Sequence, residues 1–286
     1  SLRDNWKKED IEKVIKEFRL LVSPFEEKNN FSIYITAPEY DLYEVKLENN
    51  ILRQRYAKVE AKIKTQSIDN GERKTVFCAR YADREGTIKD FSEELKKVYI
   101  CGDLQITIYY FLRDASLKFD GLKASEAKAV LDTFCGVKIY RDGFRVRPYG
   151  EEGNDWLLLD KIKISDPHGY RVGNNQVIGV VNINSDANPL LIDSTNREAI
   201  IENEAFAQLK QVVNKCINII ENHRYTQYLE ERKQTKIAEE EEKRKQERGE
   251  LTKSISQTKE KFSKALKNGN IDKAEKAVSE ILEKVS

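Results

Sequence analysis

The chain reads as an α+β protein built on one mixed sheet with helices on one face, and three observations predict it. Extended runs come first and are followed by the order helix, strand, loop, strand, helix. The run 104–112 is dense in Ile, Thr, Tyr and Phe, as suits a central strand. Apolar residues at helical spacing mark 10–22 and a later stretch running from about Glu198 or Asn203 through Ile220. A doubly wound parallel sheet fits this order less well.

Element by element, Ile11, Val14, Ile15, Phe18, Leu21 and Val22 form one stripe on a leading helix over 7–23, which Pro24 forbids from continuing. The alternating run 31–36 before Pro38 is a half-buried strand. Val59, Ala61 and Ile63 share one face of 56–64; with 75–81 this run makes a hairpin across the turn chemistry of Asp69-Asn70-Gly71. After the central strand, Ser125 is placed to cap a helix lined by Ala127, Val130, Leu131 and Phe134, and Gly136 to end it. A strand at 137–140, a turn at Asp142-Gly143, an extended piece at 144–147 and a strand at 177–183 follow. A polar loop with Pro189 then leads into the last helix of this domain, which spans 1–222.

Beyond His223 the character changes. From 230 to 250 only Ile237 and Ala238 are apolar, so 223–250 forms a solvated helical linker supported by i,i+4 pairs, with no face to bury. Leu251, Ile255, Phe262 and Leu266 make a weak stripe, Asn268-Gly269-Asn270 breaks it, and Ile271, Ala274, Val278, Ile281 and Val285 make a second. Residues 251–286 therefore read as a helical hairpin that leans on a partner for stability.

Of the 286 residues 35% are charged, yet 50 Lys+Arg against 49 Asp+Glu leave a net charge of +1, so no whole-protein field steers the chain to nucleic acid or membrane. The scattered cysteines Cys78, Cys101, Cys135 and Cys216 form no C-x-x-C pair, and only His168 and His223 could help them; no metal site is expected. Free cysteines, and no signal segment or long apolar span, predict a cytoplasmic location. The sequence opens Ser1-Leu2-Arg3-Asp4 and contains no methionine, which suggests a processed start or a boundary within a longer protein.

Neither G-x-x-x-x-G-K-[ST] nor G-x-G-x-x-G occurs, and G-x-S-x-G and H-E-x-x-H are also missing. His168 reads as an exposed loop residue, and His223, at a helix end, as a partner of the last carbonyls. Two clusters remain. Arg141, Arg145 and Arg147 are compressed onto a strand and its turn together with Phe144 and Tyr149, either as a solvated strand face or as a nucleic-acid contact using phosphates and stacking. Asp193-Ser194-Thr195-Asn196-Arg197-Glu198 runs into a helix. Capping explains Ser194, Thr195, Asn196 and Glu198, but the helix dipole disfavours a cation at that end, so Arg197 invites an anion.

These residues carry a resemblance. The strand 177–183, the Pro-containing loop, Thr195-Asn196-Arg197-Glu198 and the long helix resemble the transducer, or middle, domain of GHKL-type ATPases. The run Gly136-Val137-Lys138-Ile139-Tyr140-Arg141-Asp142-Gly143-Phe144-Arg145-Val146 followed by Asn154-Asp155-Trp156-Leu157 is similar to histidine-kinase-like ATP-binding proteins related to MORC and MutL. Leu2-Arg3-Asp4-Asn5-Trp6 resembles the segment that leaves the ATPase domain in those proteins. In the ninety-kilodalton heat-shock chaperone a similar element brings an arginine to the γ-phosphate.

The resemblance covers about residues 2–222 and implies a ribosomal-protein-like βαβ fold followed by the charged helix and hairpin. It also implies that Arg197 is a γ-phosphate finger supported by Thr195, Asn196 and Glu198. ATP and magnesium would belong to the full-length protein and none to this chain, since no D-x-G-x-G is present. The implied partners are an N-terminal ATPase domain, a second copy in a homodimer, and a nucleic-acid or protein client, with no membrane. Two other function classes stay open: a nucleic-acid-binding module in DNA maintenance or phage defence working through Arg141, Arg145 and Arg147, and a scaffold acting through the C-terminal helices.

Overall fold

A computed structural model describes residues 6–21, 32–68, 72–114, 117, 124–166, 169–194, 199–269, 271–272, 275–276 and 278–280. The chain divides into two compact units, Ser1–Arg224 and Tyr225–Ser286.

The first unit opens with α1 (Lys8–Leu21) and a small antiparallel pair, β1 (Tyr34–Ala37) and β2 (Leu42–Lys46). The main sheet is built from β3 (Ala57–Ser67), β4 (Arg73–Asp83), β5 (Ile88–Glu94), β6 (Leu104–Tyr110), β7 (Gly136–Arg141), β8 (Phe144–Val146) and β9 (Val177–Ile183). Between them lie α2 (Ala124–Phe134) and α3 (Leu159–Ser165), and α4 (Glu204–Lys267) follows.

The seven strands lie in the order β5-β4-β3-β6-β9-β7-β8, and every neighbouring pair is antiparallel except β7 with β9. The strand expected at the centre is there: β6 sits fourth of seven. The expected hairpin forms in the register that sets Ile63 opposite Phe77 and Ala61 opposite Ala79, which places its apolar set on one face; its turn at 69–71 lies outside the described residues.

That apolar face packs on α4. Phe206, Leu209, Val213, Cys216, Ile217 and Ile220 share a core with Val59, Ile63, Phe77, Tyr81, Ile106, Ile108 and Val181. Polar groups fasten both ends of this buried stretch. The buried Gln208 accepts the N–H groups of Ile100 (2.6 Å) and Cys101 (3.3 Å). Near the other end Glu221 takes Arg171 Nη1 at 2.6 Å and Val172 N–H at 3.0 Å.

The expectation of helices on one face is corrected. Ala127, Leu131 and Phe134 of α2 form a separate cluster with Phe111 and Ile178, and Ile178 points opposite to Val177 and Gly179 because strand side chains alternate. The parallel β7/β9 pair is therefore sandwiched between helical layers, whereas over β3 and β4 the second face carries Lys58, Glu60, Lys62 and Arg80 and no helix among the described residues packs on it.

Gly136 does not end α2 as a cap only; it begins β7 with φ +89, and a Cβ there would come within 2.9 Å of the Gly150 Cα. The last helix also exceeds its expected end. It runs unbroken through 223–250 to Lys267, and the foreseen break is a turn at Asn268-Gly269, with φ +67 at the glycine. His223 accordingly sits within α4, where Nε2 lies 3.0 Å from Asp83 Oδ2, and not among terminal carbonyls.

Candidate functional site

The connection from β9 to α4 is held by side chains at nearly every step. Asn184 Oδ1 accepts the N–H groups of Asp186 (2.8 Å) and Ala187 (3.3 Å), which bends the chain as soon as the strand ends. Asn188, fully buried, spans the bend. Its Nδ2 donates to the carbonyls of Cys101 (2.6 Å) and Asp103 (2.9 Å), and its Oδ1 accepts Asn184 N–H at 2.7 Å. Asp142, in the β7–β8 turn, accepts both the hydroxyl and the N–H of Ser185, and these hydrogen bonds hold its carboxyl below the usual range.

Further on, the chain doubles back as a narrow stem. Ile201 N–H bonds Ile192 O at 2.8 Å, Ser194 N–H bonds Ala199 O at 2.7 Å, and Asp193 bridges to Ile200. Three anchors fix this stem. Arg141 Nη2 meets Asp193 Oδ1 at 3.0 Å and donates to Leu191 O. The Tyr149 hydroxyl accepts Ile200 N–H at 2.9 Å and donates to Ile200 O at 3.3 Å. Asn203 caps α4 by accepting Phe206 N–H at 2.9 Å, while its Nδ2 donates to Leu190 O at 2.8 Å.

Tyr149 also belongs to an aromatic trio with Trp156 and Phe206, ring centroids 5.2 to 5.8 Å apart, and the indole N–H donates to Val137 O at 2.9 Å. The stem, β7 and the first turn of α4 thus share one set of contacts.

Thr195, Asn196, Arg197 and Glu198 lie outside the described residues. Of the two helix starts the sequence allowed, near Glu198 or near Asn203, the structure takes the later, and α4 begins at Glu204. The first turn of α4 is therefore Glu204 to Ala207, and the cap is Asn203 in place of Ser194, Thr195 or Asn196. Arg197, seven positions before Glu204, therefore does not oppose this helix's dipole, which acts only within the first turn.

The arginine cluster is not one free cationic face. Arg141 is 16% exposed on Asp193, and Arg145 is 25% exposed, donating to Tyr149 O (2.9 Å) and Glu151 Oε1 (3.1 Å). Arg147 alone of the three is largely exposed, at 78%. Next to them Lys138 is buried. Its ammonium donates to Phe134 O (2.5 Å) and Cys135 O (3.1 Å), closing α2, and burial with the nearby Arg145 charge brings its pKa down to about 8.

Among the described residues no group of His, Cys, Asp and Glu is arranged to hold a metal ion. Burial pushes the Cys101 and Cys216 thiols up to about 12, far from a nucleophile's range. His168 is outside the described residues. A cavity of about 290 Å³ at the ends of β3, β6 and β9 is lined by Lys62, Lys64, Asp103, Gln105, Asn182 and Asn184, with no base beside a nucleophile.

Of the residues that hold the connection together, Asn188 escaped the sequence reading, Tyr149 entered it only as a ring beside arginines, and Asn203 only as a possible helix start. Asn203 alone carried a local signal, standing one residue before the apolar periodicity. No helix among the described residues is long and apolar enough to cross a membrane. Comparison with protein-family models, with curated proteins and with solved structures gave no match to this chain in any of the three.

Proposed function

We propose that the chain is the energy-transducing middle domain of a GHKL-type ATPase, with Arg197 offered to the γ-phosphate of ATP held by an N-terminal nucleotide-binding domain. The supporting observation is the anchored stem. Residues on either side of 195–198 are tied to β7 through Arg141–Asp193 and to the start of α4 through Tyr149, Ile200 and Asn203. A displacement imposed on the loop is thereby shared with the sheet and with α4, which is the mechanical requirement of a transducer. The bound nucleotide, with magnesium, would supply the charge that the loop senses; this chain supplies the cation and the linkage. A preplaced guanidinium accelerates phosphoryl transfer by roughly 10³ to 10⁵ in enzymes that use one, because it stabilises charge on the transferring group. The client, protein or nucleic acid, is engaged elsewhere on the assembly.

The expected outcome follows. In a protein joining this chain to its nucleotide-binding domain, Arg197→Ala lowers steady-state ATP hydrolysis by about 10³-fold or more while nucleotide affinity stays within about two-fold. Unchanged turnover rejects the assignment. The nucleic-acid reading draws less support, since all three of its arginines pair with carboxylates within the chain and only Arg147 is largely exposed.

A further inference from the structure

Strand β5 is the outermost strand of the main sheet, and all seven of its residues are exposed, including Ile88 at 57% and Phe91 at 37%. Among the described residues no segment pairs with its outer edge. The β4/β5 register is unbroken from Val76–Glu94 to Ala82–Ile88, so no bulge bends the edge away, and the strand contains no proline. An edge with neither a bulge nor a proline is a template for another strand, with its charges left to decide which strands it accepts.

The direction of the free groups is fixed by the ladder. Asp83 N–H bonds Thr87 O and Leu95 N–H bonds Thr75 O, so odd-numbered residues of β5 bond inward to β4. Ile88, Asp90, Ser92 and Glu94 therefore turn their N–H and C=O groups outward.

We propose that β5 is a self-association edge, on which two copies of this chain pair antiparallel about a two-fold axis at Phe91. In that register Phe91 faces its own copy, Lys89 faces Glu93 of the second copy and Glu93 faces its Lys89. Asp90 faces Ser92 and Ile88 faces Glu94, and these even-numbered pairs exchange the outward hydrogen bonds. The odd-numbered pairs are the non-hydrogen-bonded ones, where side chains approach most closely, so the two Lys–Glu pairs flank a Phe–Phe contact.

Charge singles out this register. Moving the axis to Asp90 opposes Asp90 to itself, and moving it to Ser92 opposes Asp90 to Glu94. Centring on Lys89 or Glu93 opposes like charges directly. Half-residue registers would set an outward-bonding residue against an inward-bonding one. The charges that would ordinarily guard a sheet edge thus forbid every neighbouring register and favour one. A two-fold axis also closes the assembly at two copies. Phe91 and Glu93 lie on the α4 side, where Glu93 already holds Lys215 Nζ at 2.5 Å, so a second lysine completes a cation–carboxylate–cation row. The proposal does not depend on Arg197 or on the transducer reading.

Sedimentation of the full chain over a concentration series tests it. The parent is expected to dimerise with concentration. Lys89→Glu alone and Glu93→Lys alone each weaken self-association by about ten-fold or more. An equimolar mixture of the two variants recovers a dimer, because each introduced charge meets its opposite on the other chain. A second arm does not depend on those variants: Phe91→Cys in a Cys78→Ser background is expected to form an interchain disulfide on oxidation, whereas Ile88→Cys in the same background is not. A parent that stays monomeric, a dimer insensitive to both charge reversals, a mixture that fails to recover, or equal cross-linking at 88 and 91 overturns the proposal.

Discussion

Residues 205–221 and 230–250 belong to the same continuous helix, α4, yet they are helical for different reasons. In the first stretch Ala205, Phe206, Leu209, Val212, Val213, Cys216, Ile217 and Ile220 are buried at the spacing of one helix face, and the core holds the backbone in place. In the second every residue is exposed. There the helix rests on propensity and on oppositely charged residues spaced i,i+4, such as Glu239 and Lys243, Glu240 and Arg244, and Glu241 and Lys245, a spacing worth about 0.2 to 0.5 kcal/mol where the pair forms. Continuity of a helix therefore says nothing about uniform stability: opening in 230–250 costs little, and opening in 205–221 costs much of the fold.

The sharpest way to break the packed stretch is Phe206→Ala, which empties a fully buried site stacked on Trp156. The expected loss is about 3 to 5 kcal/mol in urea unfolding followed by indole fluorescence. A loss under about 1 kcal/mol would mean that this stretch is no more core-dependent than the solvated one.

A smaller effect is expected at the tie between α4 and the sheet. Burial alone would raise the Asp83 carboxyl, but hydrogen bonds from the Thr87 backbone and side chain, Tyr81 and His223 outweigh it and hold the group below the usual carboxylate range. Asp83→Asn should cost about 1 to 3 kcal/mol near neutral pH. A depressed carboxylate contributes stability that is present above its unfolded value and is lost as pH falls through its folded value. The parent therefore loses this contribution in acid while the variant does not, and the gap between them narrows below about pH 4. A gap constant with pH would count against an ionised Asp83 carboxylate as the source of the stability.

The smallest effect belongs to the solvated stretch. Gly249 has open space where a Cβ would sit, so Gly249→Ala should add up to about 1 kcal/mol of local helix stability. Slower amide exchange around 245–253, with the urea midpoint of the packed unit unchanged, is the expected reading. A shift of that midpoint would show that the two stretches unfold together.

Much of the sheet was legible because half-buried strands alternate. Strands β3, β4, β6, β7 and β9 follow the expected runs to within a few residues. Strand β5 gave no such signal: Ile-Lys-Asp-Phe-Ser-Glu-Glu is exposed on both faces, so nothing selects an alternating pattern. Helix α3 was hidden for a related reason. It is capped by Asp155, which accepts the N–H groups of Leu159 (2.9 Å) and Asp160 (2.8 Å), while Ile162 and Ile164 face outward.

At the candidate site the residues were visible but their partners were not. Arg141 stood out as a cation on a strand, but the carboxylate that occupies it, Asp193, comes more than fifty positions later. Tyr149 was read as a ring beside arginines, whereas its hydroxyl closes the stem at Ile200.

By itself, the sequence determined which segments can bury a face, because periodicity is written into consecutive residues: the hairpin, the central strand, the first half of α4 and the solvated character of its continuation. Only the tertiary structure decided that α2 lies across the sheet from α4 and that β5 is left at an edge unpaired among the described residues. Those outcomes depend on contacts between residues far apart in the chain, and no local pattern encodes the distance-dependent burial and pairing that select them.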